Sequence, residues 1–169
     1  MTYVTIGGVT VGVCILFWHL IDWWPGIKGL RSKAVHHAAG LAPFLLAWSY
    51  GVLAILGIGG IVGAAARTTL WISNWLGDVA LVWGVGGQSR QRVARVTYLP
   101  LTATGAAVVL ILTVAMLAAA RKSRYTTDIR RGAWCGICLG TSAGVAGFAA
   151  VPLAQAANWL GGTVYGAIA

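Results

Sequence analysis

Long apolar runs are the feature that most constrains how this chain can fold. Four of them lie at about residues 4–24, 38–66, 101–120 and 132–156. A helix needs about 20 largely apolar residues to cross the hydrocarbon core of a bilayer, so each run is long enough to span it. Charged residues make up only 9% of the chain, whereas a soluble domain carries about 25%. The sequence therefore predicts an integral membrane protein.

The predicted fold class is all-α, with residues 1–169 forming a single membrane domain. Its four transmembrane helices are expected to form two hairpins. Residues 68–87, between the hairpins, have a different pattern, with tryptophans on one side of a helical wheel and polar or small residues mostly on another. This pattern predicts an amphipathic helix that lies in the membrane interface. No convincing residue-level repeat relates the two halves.

The basic residues predict the topology and one kind of partner. Net charge is +9, and with four spans the loops 25–37 and 121–131 share one side and hold eight Lys and Arg, against four on the other side. The positive-inside bias makes both loops cytoplasmic and places both termini outside a bacterial inner membrane. No soluble basic domain exists for nucleic-acid recognition. The second loop is expected to contact anionic lipid headgroups, through Arg121, Lys122, Arg124, Arg130 and Arg131.

Glycines at every fourth residue mark one face of the last span. They are Gly132, Gly136, Gly140 and Gly144. Such a glycine zipper forms a groove roughly 18 Å long, in which another helix can approach the backbone closely. Two interpretations stay open: the groove packs within the chain on Gly59 and Gly63 of the second span, or it packs on another copy and makes a homo-oligomer.

The same segment contains Trp134-Cys135-Gly136-Ile137-Cys138. It resembles the W-C-G-x-C motif of thioredoxins, and its membrane setting is similar to that of the four-helix quinone-linked thiol oxidases. The resemblance implies thiol–disulfide exchange at Cys135 and Cys138. The alternative is that both cysteines are small packing residues beside the glycine face. Elsewhere, His19 and Asp22 are close enough on one helix to touch, which is typical of an interfacial pair at headgroup depth.

No catalytic motif, metal-ligand spacing or cofactor signature is present, so we expect a protein that is not an enzyme. Residues 98–157 are similar in organisation to conjugative pilin subunits of type IV secretion. The composition is also typical of phage holins and of small membrane proteins of bacterial mobile elements. The sequence predicts a pore-forming or membrane-complex subunit whose partners are the bilayer, further copies and other subunits. The alternatives are the thiol oxidoreductase and an inert scaffold that docks through residues 68–87.

Overall fold

The computed structural model describes residues 3–27, 39–57, 59–87, 93, 101–122, 125–142 and 148–168. Within these ranges the chain is all-helical and contains no strand, which confirms the predicted class. The α-helices are α1 (Ile6–Ile27), α2 (Ala42–Leu56), α3 (Gly60–Ala80), α4 (Ala103–Lys122), α5 (Thr126–Leu139) and α6 (Ala150–Ile168). A 3-10 turn at Ala39–Leu41 precedes α2, and a π-helical turn at Leu81–Val85 extends α3.

Among the described residues, two helices are long and apolar enough to cross a membrane. They are α1 over Ile6–Trp24 and α4 over Ala103–Arg121, and α2 with α3 makes a third span only if this bent pair is taken as one. The four predicted spans are therefore not shown. The outward faces of α1 and α4 are apolar, and Ile21 and Ile111 each expose about two thirds of their surface. Side chains of this kind suit hydrocarbon as their surroundings.

The predicted span 38–66 is wrong as a single helix. The helix α2 ends at Leu56, and α3 begins at Gly60, whose φ of +77° is in the left-handed region that favours glycine. The axes of α2 and α3 are bent by 103° at this break. Residues 68–87 do not form a separate segment, because α3 continues through Arg67 into them.

The predicted span 132–156 is also interrupted. The helix α5 begins at Thr126, inside the predicted loop 121–131, and ends at Leu139. Both the backbone N–H and the hydroxyl of Ser142 donate to the carbonyl oxygen of Leu139, at 3.0 and 2.8 Å. These bonds satisfy a helix-end carbonyl that would otherwise need a continuing helix. The last helix, α6, then runs well beyond the predicted end at residue 156.

The N-terminus of α1 is capped by its own threonine and by an asparagine of α3. The hydroxyl of Thr5 accepts the N–H of Gly8, and the N–H of Thr5 donates to Oδ1 of Asn74, both at 3.2 Å. The amide of Asn74 also donates to the carbonyl oxygen of Tyr3, at 2.8 Å. Gly77, one turn further along α3, lies against the backbone of Gly7. The start of α1 is thus fixed to α3 by buried hydrogen bonds and glycine contacts.

The start of α4 repeats this arrangement with α6. The hydroxyl of Thr102 accepts the N–H of Gly105 at 3.1 Å, and the N–H of Thr102 donates to Oδ1 of Asn158 at 3.0 Å. Gly161 lies against the backbone of Thr104. The two asparagines open identical four-residue sequences, Asn-Trp-Leu-Gly, at 74–77 and 158–161. The contacts of α1 with α3 and of α4 with α6 are therefore equivalent.

The helices α2 and α5 pack against each other at the centre of the molecule and run parallel. Phe44 lies against Gly132, and one turn later Trp48 lies against Gly136, so both helices advance in the same direction. The helix α1 packs on α5 in the opposite direction, since Gly12 meets Leu139 whereas His19 lies beside Asp128.

The helix α4 packs on α2 in the same direction as α1 packs on α5, but over a much smaller contact. Val109 shares an apolar cluster with Leu53, whereas Met116, further along α4, lines a cavity with Tyr50, which lies earlier on α2. The helices α1 and α4 therefore run in the same direction. The molecule consists of two three-helix units, α1–α3 and α4–α6, each of which places its first helix on the middle helix of the other.

The hydrogen bonds of Asn74 generate the first testable prediction. Replacing Asn74 with Ala removes the acceptor of the buried Thr5 N–H and the hydrogen bond to the carbonyl oxygen of Tyr3. We expect the free energy of unfolding in detergent to fall by about 2 kcal/mol. Gln155→Ala is the control, because Gln155 is exposed on α6 and its change should stay within about 0.5 kcal/mol. Equal effects of the two substitutions would contradict the capping role of Asn74.

Candidate functional site

The glycine face of α5 packs directly on the backbone of α2. A Cβ built on Gly136 would lie 2.9 Å from the carbonyl carbon of Trp48 and nearer still to its oxygen. A Cβ on Gly132 would lie 3.0 Å from Cβ of Ala47. On the facing helix, Gly51 meets the backbone of α5 in the same manner. At most of these positions a methyl group does not fit, so glycine is required by the close approach of the helices.

The structure thus places three of the four zipper glycines in a contact within one chain. Gly140 belongs to it, with a Cβ that would lie 3.1 Å from Cα of Val52, whereas Gly144 lies outside the described residues. Gly59 and Gly63 take no part. A Cβ on Gly59 would meet nothing within 4 Å, and Gly63 faces the carbonyl group of Gly57.

The two cysteines of the C-x-x-C motif occupy the opposite side of α5, towards α1. Both thiols are free and fully buried, and Sγ of Cys135 lies 3.4 Å from the carbonyl oxygen of Gly12. Since the thiolate is the nucleophile in thiol–disulfide exchange, this environment suits packing better than redox chemistry.

A polar cluster lies between α1 and the first half of α5. His19 is 6% exposed, and its ring stacks on Phe44 of α2 with the centroids 4.0 Å apart. Its Nδ1 lies 3.7 Å from Oδ1 of Asp128. Arg131 donates a hydrogen bond to Asp22, and its guanidinium lies 5.8 Å from the ring centre of Trp18. We call His19, Asp22, Asp128 and Arg131 the α1–α5 cluster.

The equivalent contact, between α4 and α2, has no acid or histidine at the matching positions. Aligning Thr102 with Thr5 places Met116 and Ala119 of α4 where α1 has His19 and Asp22. On α2, aligning Trp48 with Trp134 places Ala42 and Leu45 where α5 has Asp128 and Arg131. Met116 lies instead on a cavity lined by Arg121 and Arg130. Among the described residues, a buried histidine beside two acids is found at the α1–α5 contact, which makes this cluster the leading functional candidate.

The predicted basic loop divides between two environments. Arg121 and Arg130 line a cavity of about 330 Å³ between α2, α4 and α5, together with apolar residues such as Met116. Arg131 instead turns to the α1–α5 cluster. Arg124 and the side chain of Lys122 lie outside the described residues. Among the described residues, the charges of this segment thus lie at the end of α4 and on α5.

Across the described residues, no three His, Cys, Asp or Glu side chains gather where they could hold a metal ion. Comparison with protein families, curated proteins and solved structures gives no match to the chain.

Sequence reasoning found part of the cluster and misread its partners. His19 and Asp22 are close in sequence, but the partner of Asp22 is Arg131, and the nearest acidic group to His19 is Asp128. The useful signal was the acid count. The chain has three acidic residues. Two of them lie in this cluster, and so few acids in a chain this long mark each one as a candidate for a specific role.

The α2–α5 contact predicts the effect of a single methyl group. Gly136→Ala should lower the free energy of unfolding by about 3 kcal/mol, since neither backbone can move without disturbing the other helix. Gly162→Ala is the matched control, because nothing lies within 4 Å of a Cβ on Gly162 and alanine favours a helix. Denaturant titration in detergent measures both. A neutral Gly136→Ala would contradict the contact.

The cysteine environments predict selective alkylation. At pH 8 in mild detergent we expect a maleimide to modify Cys14, which is exposed, and to leave Cys135 and Cys138 unmodified until the protein unfolds. Intact-protein mass spectrometry counts the added groups. Rapid modification of three thiols in the folded protein would show that α5 is not buried as described.

Proposed function

We propose that the protein is a small polytopic membrane protein of a bacterial inner membrane that acts as a pore-forming or membrane-complex subunit. The observation that carries this proposal is the distribution of polarity. Large apolar side chains such as Phe17 and Ile111 point outward, whereas Asn74, Ser73 and His19 are buried. A soluble protein keeps most of its large apolar side chains away from the surface. Apolar side chains facing outward, with polar ones buried between helices, suit lipid surroundings.

The direction of the helices supports the proposed topology. The helices α1 and α4 run in the same direction, and each is followed by basic residues: Lys28, Arg31 and Lys33 after α1, and the 121–131 segment after α4. Both basic segments then belong on one side of the membrane, which is the cytoplasm by the positive-inside rule. The N-terminal ends of α1 and α4 lie on the outer side in this proposal.

Self-association needs a surface other than the glycine face, because α2 covers that face within the chain. The helix α3 offers one. Trp71, Trp75 and Trp83 are 68%, 61% and 86% exposed, while the opposite side of α3 is buried against α1 and α5. We propose that this tryptophan surface carries contacts between copies or with other subunits, since aromatic side chains are enriched at interfaces.

The alternative of a scaffold without its own pore uses the same tryptophan surface for docking. The alternative of a thiol oxidoreductase has less support, because Cys135 and Cys138 are fully buried, out of reach of a partner disulfide. Replacing both cysteines with serine would abolish an oxidoreductase. The same change should leave a pore intact.

Ion conductance across a planar bilayer tests the proposal. We expect the purified protein to conduct, with a conductance that rises more steeply than linearly with protein density, because several copies make one pore. Trp71→Ala, Trp75→Ala and Trp83→Ala together should reduce it at least tenfold, while Cys135→Ser with Cys138→Ser should change it less than twofold. Wild-type protein that is inserted but silent would contradict the pore and leave the scaffold.

A further inference from the structure

The α1–α5 cluster brings together groups that rarely share a place inside a membrane bundle. Two of the chain's three acidic residues, Asp22 and Asp128, lie beside a histidine that is more than nine-tenths buried. Among the described residues, neither ring nitrogen of His19 has a hydrogen-bond partner. A buried polar group without a hydrogen-bond partner lowers the stability of the fold. A functional role of the imidazole would account for a histidine at this position.

We propose that His19 is a proton-binding site in which Asp128 is the counter-ion of the imidazolium. The proton comes from water and adds to a ring nitrogen, and no other covalent bond changes. The N–H of Nδ1 then faces Oδ1 of Asp128, 3.7 Å away, and closing that distance to about 2.8 Å makes a charge-assisted hydrogen bond. This inference holds for a pore and for a scaffold alike.

The groups around the ring favour Asp128 over the other charges. On α1, Asp22 is already bound to Arg131 of α5, so these two charges largely offset each other. On α2, the neighbour is the uncharged ring of Phe44. Asp128 is therefore the carboxylate beside His19 that no described arginine pairs with.

The two carboxylates lie nearer the surface of the molecule than the imidazole does. The side chains of Asp22 and Asp128 are 51% and 28% exposed, whereas that of His19 is 8% exposed. The carboxylates thus form the outer part of the cluster and the imidazole forms its inner end. A proton entering here must pass the acids first, which is the order found in proton relays.

Binding of the proton joins three helices. His19 belongs to α1, Phe44 to α2 and Asp128 to α5, so drawing Asp128 towards the ring tightens the contact between the two three-helix units. The equivalent contact between α4 and α2, with Met116 and Ala42 at the matching positions, has no such response. Proton binding therefore acts on one side of the molecule only.

Nuclear magnetic resonance of the histidine rings tests the proposal on the full chain in lipid nanodiscs. The protein has three histidines, and His19→Gln identifies the His19 signal by its loss. We expect this ring to change protonation between pH 4.5 and 8. Asp128→Asn should lower its proton affinity about tenfold, the small end of the effect of an adjacent opposite charge, and Asp128→Glu should restore it.

Asp78→Asn is the matched control, because Asp78 lies against Gly7 near the other end of α1. It should change the proton affinity of His19 less than twofold. A His19 ring that stays in one protonation state across this range would overturn the proposal. So would a titration that is identical in wild type and Asp128→Asn, with folding of each variant verified by circular dichroism.

Discussion

The rest of the structure depends on the approach of two helix backbones at α2 and α5. Lipid chains are as apolar as leucine, so there is no hydrophobic gain in burying one helix against another inside a membrane. What remains is dispersion, and short contacts between Cα–H groups and carbonyl oxygens, both of which need close approach. Gly132 and Gly136 on one helix and Gly51 on the other provide that approach. The two three-helix units join along this line.

The starts of α1 and α4 lie away from the α2–α5 contact and are fixed by polar side chains. Asn74 and Asn158 each accept the N–H of a capping threonine on the first helix of their unit. In a lipid environment an unpaired backbone group costs several kcal/mol, so each asparagine both satisfies and positions a helix start. The same two-part device, glycine contact and asparagine cap, occurs in each unit. The acids and the histidine gather at only one of the two contacts that a first helix makes with the other unit, the α1–α5 contact.

Composition and periodicity predicted the all-helical membrane class and the glycine contact surface, because both follow from local sequence. They failed at the breaks near residues 57–60 and 140–142, since apolar runs continue across them and only the Gly60 conformation and the Ser142 bonds end the helices. The repeat was missed because the loops between equivalent helices differ in length, which shifts the register of the matching Asn-Trp-Leu-Gly sequences. Asp128, the acid nearest to His19, lies on another helix, so no pattern in the sequence around His19 could predict it.

Solid-state nuclear magnetic resonance in lipid bilayers tests the central claim most directly. Protein labelled at tryptophan carbonyl carbons and glycine Cα carbons should give a Trp48–Gly136 cross-peak that is lost in Trp48→Phe. Because the contact lies within one chain, the peak should keep its intensity per labelled molecule when the protein is diluted tenfold into unlabelled copies. A peak that fades on dilution would show that the glycine face binds another copy, and the α2–α5 core described here would be wrong.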